Sequence, residues 1–407
     1  MTVPKITMKV LQAIRRNKKP LSKAELVQIT GLSLVTITEH VETLIRSDLV
    51  MDFEVGHSTG GRKPRLLSFN AEAGYIIAVD LESTHVHVGI LDLTCSIVVS
   101  RSSLIDVAHG PKAVLEQIKD LVLLLLDESG IDHSLIKGIG MGVPGPVEYS
   151  TGLPASLPIM PGWDRFPIQR FWDQYFDCPC YVDNNVYTMV LGEHMVESVS
   201  EIDNFIFLKV GNGIGAGTIC NGKIYRGASE YAGNIGHNNI GHDLLCYCGN
   251  RGCLEALAGG RAISRKAELI AREGKSKLLH EILQRKGKIT MDDVKLAVRE
   301  ADPVMVELIR ECGFQIGSVL AGLVNFFNPS LVCIGGSVTE TGDVLLASIR
   351  QAVYQKSLPL ATRDLVIRSS YQGDKAGIIG AAVLTVDKII DDSLIRTKEG
   401  IYSFSYK

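Results

Sequence analysis

Residues 242–255 read HDLLCYCGNRGCLE and place three cysteines, Cys246, Cys248 and Cys253, within eight positions of one another. A C-x-C-x₄-C spacing is too tight for core filler. The glycines between the thiols permit the sharp turns that wrap thiolates around one ion. Three cysteines need one more ligand to close a tetrahedral zinc site. His237, eight intervening residues before Cys246, and His242, three before it, both qualify. Soft thiolates with an imidazole select zinc. A redox pair is the weaker reading, since the chain has no C-x-x-C.

The surroundings agree with an intracellular thiol chemistry. The nine cysteines are an odd number, which counts against a full disulfide framework. The longest apolar run, LVLLLL at 121–126, is bounded by Asp120 and Asp127 and falls far short of the roughly 20 residues that a bilayer requires. The stretch MTVPKITMKVLQ has neither a long apolar segment nor a small-residue cleavage site. The expectation is a cytoplasmic protein with no membrane partner and reduced thiols. With 407 residues, 46% of them hydrophobic, the chain reads as two or three globular domains.

Charge is unevenly spread. Residues 1–70 hold eleven Lys/Arg against six Asp/Glu, a net +5, while the remainder carries −8. A basic head on an acidic body points to a polyanion as the head's partner. The head reads as three helices. ITMKVLQAIRRNK has Ile6, Val10, Leu11 and Ile14 at helical spacing. LSKAELVQITG opens with a capping box, Ser22 and Glu25, and Gly31 closes it. Ser33 caps LVTITEHVETLIRSD, with Leu34, Ile37, Val41, Leu44 and Ile45 on one face. Two strands around the glycine-rich tip GGRKPR follow, so the segment is expected to form a winged helix-turn-helix. Thr36, Glu39 and His40 are then the expected base readers in a major groove. Arg62, Lys63 and Arg65 of the tip suit the negative potential of a minor groove.

The body repeats itself. YIIAVDLES, THVHVGILDL and CSIVVSRSSLI are successive strands, followed by the helix PKAVLEQIKDLVLLLLDES and the strand IKGIGMG. The same β-β-β-α-β order returns with FIFLKV, GIGAGTIC, KIYRG, the helix PVMVELIRECGFQIGSVLAGLVNFF and LVCIGG. Asn221-Gly222 is a hairpin turn. The glycines of 211–217 precede a strand rather than a helix, which excludes a dinucleotide fingerprint. Two such halves around a cleft resemble the actin-like, ribonuclease-H-like sugar kinases.

The cysteine stretch itself resembles the zinc motif of the ROK family (repressors, open reading frames and kinases), a G-H followed by C-x-C-G-x-x-G-C-L-E. GVPGPV at 142–147, PGW at 161–163, LGE at 191–193, GNGIGAGTICNGKIYRGASEYAGNIGH at 211–237 and NPSLVCIGG at 328–336 match the family as well. The head with GGRKP is similar to that of the family's repressors of sugar catabolism, of the xylose and N-acetylglucosamine type, and the family's kinases lack it. The resemblance implies residues 1–70 as a DNA-binding head, 71–195 as a first ROK lobe and 196–390 as a second lobe with the zinc loop, its last helix able to return to the first lobe. Residues 391–407 form an extension whose sequence carries no readable signal. The implied structural zinc would be held by His237, Cys246, Cys248 and Cys253, with His242 still a rival.

Kinases of the family take the sugar proton with an Asp in an N-D-A-N motif. Here the matching stretch is VDNNVYTMVLGE, so Asn185 stands at the base position. Losing a general base typically costs about 10²–10⁴-fold. Asp183 is not expected to substitute, since neighbours on an extended segment point opposite ways. The kinases' first phosphate loop resembles D-x-G-G-T, whereas this chain has DLEST, with Glu82 and Ser83 in place of both glycines. The family's hydroxyl-binding positions carry over to Asn184, Asn185, Asn234, His237 and Glu255. The expectation is a non-enzymatic, carbohydrate-responsive repressor. Its partners are a palindromic operator, a sugar or sugar derivative and a second copy of the chain in a dimer or larger homo-oligomer. The rival expectation is an active sugar kinase carrying a DNA-binding head.

Overall fold

The computed structural model describes residues 3–17, 19–54, 65–155 and 160–396. Its first unit is three helices, α1 (Val3–Arg16), α2 (Lys23–Thr30) and α3 (Leu34–Arg46), with a small antiparallel sheet ordered β1-β3-β2. Here β1 is Leu21–Ser22, β2 Val50–Glu54 and β3 Arg65–Phe69. Local chemistry sets the helix ends. Ser22 and Glu25 close a reciprocal capping box on α2, and Gly31 ends it at φ 68°, a conformation that glycine adopts without strain. Ser33 accepts from the Thr36 N–H to start α3.

Two five-stranded sheets make up the rest. The first is ordered β10-β7-β4-β5-β6, from β4 (Tyr75–Leu81), β5 (His85–Asp92), β6 (Ile97–Leu104), β7 (Ile136–Val143) and β10 (Cys180–Asn184). A two-stranded hairpin, β8 (Val147–Glu148) with β9 (Leu153–Pro154), lies between. The second sheet is ordered β13-β12-β11-β14-β15, from β11 (Phe205–Val210), β12 (Ile214–Cys220), β13 (Lys223–Ile224), β14 (Leu331–Gly335) and β15 (Val366–Ser369). Strand senses match position by position. β4–β5–β6 and β11–β12–β13 are antiparallel ladders, whereas β4–β7–β10 and β11–β14–β15 are parallel. The internal repeat read from the sequence is therefore a repeat of topology. The hairpin turn lies where expected, with Asn221 at φ 51° and Gly222 at φ 71°.

Each sheet has its own core. Val79, Val88, Ile139 and Met141 pack under α4 (Pro111–Ser129) in the first. Leu208, Val332 and Ile334 pack under the helix Pro303–Phe327 in the second. The last helix, Ala376–Arg396, follows β15 of the second sheet yet packs on β4 and β7 of the first and on the helix Asn185–His194. That approach needs two glycines. A Cβ on Gly192 would fall 2.0 Å from the Ala376 carbonyl oxygen, and one on Gly380 would fall 1.6 Å from that of Thr188. The first unit is not a separate bead. Val10, Leu11 and Ile14 of α1 share one buried cluster with Leu93, Cys95, Ile389 and Ile390. The Arg15 guanidinium crosses the seam to Asp387 Oδ1 at 2.7 Å and to Cys95 Sγ at 3.4 Å. Among the described residues, no helix is long and apolar enough to cross a membrane.

Candidate functional site

Helix α3 presents a different face from the one expected. Glu39 is exposed and Thr36 half-buried, with Val35 78% and Leu34 55% exposed beside them. Leu34 thus lies outside the core face assigned to it, because the helix's first turn overhangs the edge of the core. His40 is a second correction. It is only 5% exposed, and its Nδ1 shares a 2.9 Å hydrogen bond with Thr7 Oγ1 of α1, so it cannot meet a base edge. Arg65 opens β3 with a half-exposed side chain whose Nε donates to Asp52 Oδ1 at 2.8 Å. Arg62 and Lys63 lie outside the described residues.

Three cysteines and one histidine converge in the second half. One ligand atom from each of His237, Cys246, Cys248 and Cys253 lies within 4.8 Å of all the others. The loop is pinched by isolated bridges between Asn239 and Cys253 and between Leu245 and Arg251, with Gly249 and Gly252 both at positive φ. Cys248 Sγ and Cys253 Sγ are 3.7 Å apart, and Cys246 Sγ is 3.8 Å from His237 Nδ1. A tetrahedron with metal–sulfur bonds of about 2.3 Å has edges of about 3.8 Å. The donor set and its spacing therefore fit a four-coordinate ion. His242 is exposed and outside the cluster.

The same loop steers a carboxylate. Cys253 starts the short helix Leu254–Ala258, and two residues on, the buried Glu255 accepts from the Ile214 N–H at 2.7 Å. A Cβ on Gly213 would come within 2.8 Å of Glu255 Oε2, so the β11–β12 turn sits directly on that carboxylate. Tyr247 is pushed up by burial and by neighbouring Glu255.

A cavity opens between the two halves. Pro146, Asn184, Val186 and Tyr187 line it from the first, and Ala216, Glu230, Tyr231 and Asn234 from the second. Of the five predicted sugar-binding residues, only Asn184 and Asn234 line it. Asn184 donates to the Gly145 carbonyl and its Oδ1 accepts from the Val186 N–H, which fixes its rotamer. Asn234 donates to the Tyr231 carbonyl. Asn185 is buried and donates to the Leu81 carbonyl at 3.1 Å. Its amide is thus engaged in the core. Tyr187, Tyr231 and Glu230 were missed in the sequence. The signal for Tyr231 was available, since it stands three residues before Asn234 in the quoted motif.

Asp183 does not aim into the cavity as a free base. It is fully buried, and Arg226 grips both its oxygens, Nη1 to Oδ1 at 3.0 Å and Nη2 to Oδ2 at 2.6 Å. The guanidinium lies between two rings, 3.7 Å from the Tyr149 centroid and 4.7 Å from that of Tyr187. Burial pushes the Asp183 carboxyl up, and Arg226 opposes it.

On β4, Asp80 is buried, with Oδ1 lacking a hydrogen-bond partner. Burial first, then the Glu82 charge, raise its pKa to about 7, while Lys209 pulls it down. An aspartate in an unfolded chain titrates near 4. Through this group, stability is fully present below about pH 4 and is lost as pH rises through about 7. Asp80→Asn is therefore expected to flatten the dependence of Tm on pH between about 5 and 8. An unchanged slope in scanning calorimetry would contradict this placement of the charge.

Twin sheets of one topology, with a cavity lined from both halves and a Cys₃His cluster in the second, define an α/β protein of the sugar-kinase-like class. The ROK family model matches residues 76–388, and the chain belongs to the ROK family. It is 29% identical over 382 residues to the xylose repressor of Caldicellulosiruptor bescii, covering 94% of this chain and 95% of that protein. It is 24% identical to the DNA-binding transcriptional repressor Mlc of Escherichia coli, covering 94% and 93%. Among solved structures, a ROK family transcriptional regulator described as a homologue of E. coli Mlc superposes with TM-score 0.78 at 24% identity, over 96% of this chain and 99% of that one. A ROK family glucokinase from Streptomyces griseus, solved with glucose and AMPPNP, gives TM-score 0.69 at 27% identity. That kinase covers only 77% of this chain, although all of the kinase is matched.

Proposed function

We propose that this protein is a carbohydrate-responsive transcriptional repressor, acting in the cytoplasm and without kinase activity. The observation that carries the reading is the union of two parts in one chain. A three-helix unit with an antiparallel hairpin is joined to a kinase-like body whose base position, Asn185, is committed to the core. The first unit is a winged helix-turn-helix that lays α3 in the operator's major groove, with Thr36 and Glu39 nearest the bases. Arg62, Lys63 and Arg65 follow the adjacent backbone or minor groove. Two copies of the chain read a palindromic operator, since one short recognition helix makes few base contacts. The full-length likeness to proteins named as a xylose repressor and a DNA-binding transcriptional repressor supports this, as does the part of this chain that the matched glucokinase leaves uncovered.

The cavity binds a sugar or sugar derivative through the amides of Asn184 and Asn234, the hydroxyls of Tyr187 and Tyr231, and Glu230. Amides both donate and accept, which suits a polyol. The Cys₃His cluster holds a structural zinc; when bound, the ion cross-links the loop and fixes Glu255 under the β11–β12 turn. Ligand closure reaches the head along packed elements. Asn184 caps the helix Asn185–His194, that helix meets the last helix at Gly192 and Gly380, and the last helix holds α1 through Asp387 and Arg15. Coupling between sites commonly amounts to about 1–3 kcal/mol.

Thermal unfolding of the full chain with a panel of pentoses, hexoses and their phosphates tests the sensing half. A true effector at a hundredfold excess over its Kd adds about 2.7 kcal/mol. Asn184→Ala is expected to erase that shift, and a panel without any shift would count against the cavity. Restoring the acid does not restore a kinase. Asn185→Asp is expected to set a buried carboxylate against the Leu81 carbonyl, at a cost of about 1–3 kcal/mol or more, with no phosphoryl transfer to any sugar. Turnover by this variant in a coupled ATPase assay would overturn the assignment.

A further inference from the structure

Helix α3 begins with apolar side chains turned to solvent. Val35 is 78% exposed and Leu34 55%, next to each other in the first turn. The core of the head is filled by other residues of the same helix, since Ile37, Val41 and Leu44 are fully buried. The hydroxyls of this turn are already engaged. Ser33 Oγ accepts from the Thr36 N–H at 3.2 Å and shares a 2.8 Å hydrogen bond with Thr36 Oγ1. The preceding turn is open, and a Cβ on Gly31 would meet nothing within 4 Å. What the start of α3 offers a partner is therefore the apolar surface of Val35 and Leu34.

Single exposed apolar residues are ordinary and carry no meaning alone. This pair stands where a recognition helix meets base edges, in its N-terminal half. Of the four bases, thymine alone presents a methyl group in the major groove, and apolar side chains read it by contact. Charge selects DNA as the occupant over a second apolar protein surface. Residues 1–70 hold eleven Lys/Arg against six Asp/Glu, and the N-terminus of α3 adds the positive end of a helix.

We propose that Val35, flanked by Leu34, is a specificity-determining residue that reads the 5-methyl group of a thymine in each operator half-site. The inference rests on the reading of α3 as the DNA-contacting helix and adds the base that its first turn selects. Hydrogen bonds take no part in this contact, so its loss leaves phosphate binding in place.

Fluorescence anisotropy of the full-length protein on DNA from its own promoter, against the same duplex made with deoxyuridine for thymidine, tests it. The exchange removes every 5-methyl group and keeps the base pairing. The native chain is expected to bind the deoxyuridine duplex about tenfold more weakly, from one methyl contact in each of two half-sites. Val35→Ser, at a position outside the core, is expected to bind the thymidine duplex about tenfold more weakly than the native chain and to treat both duplexes alike. Equal binding of the two duplexes by the native chain, or a full deoxyuridine penalty that survives in Val35→Ser, would overturn the proposal while DNA binding itself stands. A native chain that binds neither duplex would overturn the DNA-binding reading and this inference with it. Dissociation of a native oligomer by Val35→Ser, measured by light scattering without DNA, would assign the apolar pair to a second copy of the chain and overturn the thymine contact.

Discussion

Cys253→Ser is expected to empty the metal centre and silence the cavity. Cys253 is fully buried, it starts the helix that carries Glu255, and its Sγ is 3.7 Å from that of Cys248. A serine hydroxyl is not ionised at neutral pH and is a poor zinc ligand, so three donors remain where a closed site needs four. The binding free energy of a structural zinc runs to about 10–16 kcal/mol in small zinc-finger peptides. In the proposed site the ion would order a loop on a body that already has a core, so the loss is expected to fall mainly on residues 237–255. Metal analysis is expected to find one zinc per molecule of the native chain and essentially none in the purified variant. Glu255 then loses its anchor, the β11–β12 turn loosens, and the sugar-induced rise in Tm disappears. Cys312→Ser, at a buried cysteine outside the cluster, is expected to keep the metal. Full zinc content in the Cys253 variant, or an intact sugar response without zinc, would contradict the role given to the loop.

Arg226→Ala is the second large effect. The substitution strips both guanidinium hydrogen bonds from a carboxylate that is 0% exposed, leaves it only the Asn184 N–H at 2.8 Å, and leaves no other cation on it among the described ion pairs. Breaking one partner of a buried pair costs about 3–5 kcal/mol, since the remaining charge is neither hydrated nor neutralised. Two ring contacts, with Tyr149 and Tyr187, go with it. The pH dependence has a definite sign. Burial already pushes Asp183 up against the pull of Arg226, and without Arg226 the rise is larger. A raised carboxyl favours the folded state at low pH and loses that support as pH climbs through its folded pKa. Urea unfolding should therefore show the variant more damaged at pH 8 than at pH 5. Asp183→Asn combined with Arg226→Ala is expected to recover part of the loss and to remove the pH dependence. Equal stability of the single and double variants would show that the pair carries no buried charge.

The sequence carried the parts of this fold that are local. Ser22 with Glu25, Gly31 and Asn221-Gly222 each adopt the geometry their residue types demand, and the repeated strand order returned as a repeated sheet. The Cys₃His cluster was legible for the same reason, because three of its four residues lie within eight positions. His40 was misplaced by its polarity. Its spacing from Ile37, Val41 and Leu44 puts it on the buried face, and Thr7 of another helix supplies the hydrogen bond that makes this tolerable. The cavity was half legible. Asn184 and Asn234 stand on it, yet Asn185 turns to the Leu81 carbonyl, a partner 104 positions away. The grip of Arg226 on Asp183 joins residues 43 apart across the cleft, and the Lys209–Glu82 pair likewise bridges the two halves. No local pattern announces such pairs, since each forms only when the two sheets are brought face to face.

In the proposed mechanism, one ligand in the cleft changes how the head holds DNA. Fluorescence anisotropy of the full-length protein on DNA from its own promoter measures this directly, at fixed salt because phosphate contacts make affinity salt-dependent. The titration is run with and without each sugar and sugar phosphate of the panel. The account predicts tight binding to that DNA and a shift of about fivefold or more by one sugar, a shift that Asn184→Ala removes. DNA binding that no carbohydrate alters would contradict the sensing role of the cavity, and a chain that binds no DNA would contradict the reading of α3 and the hairpin.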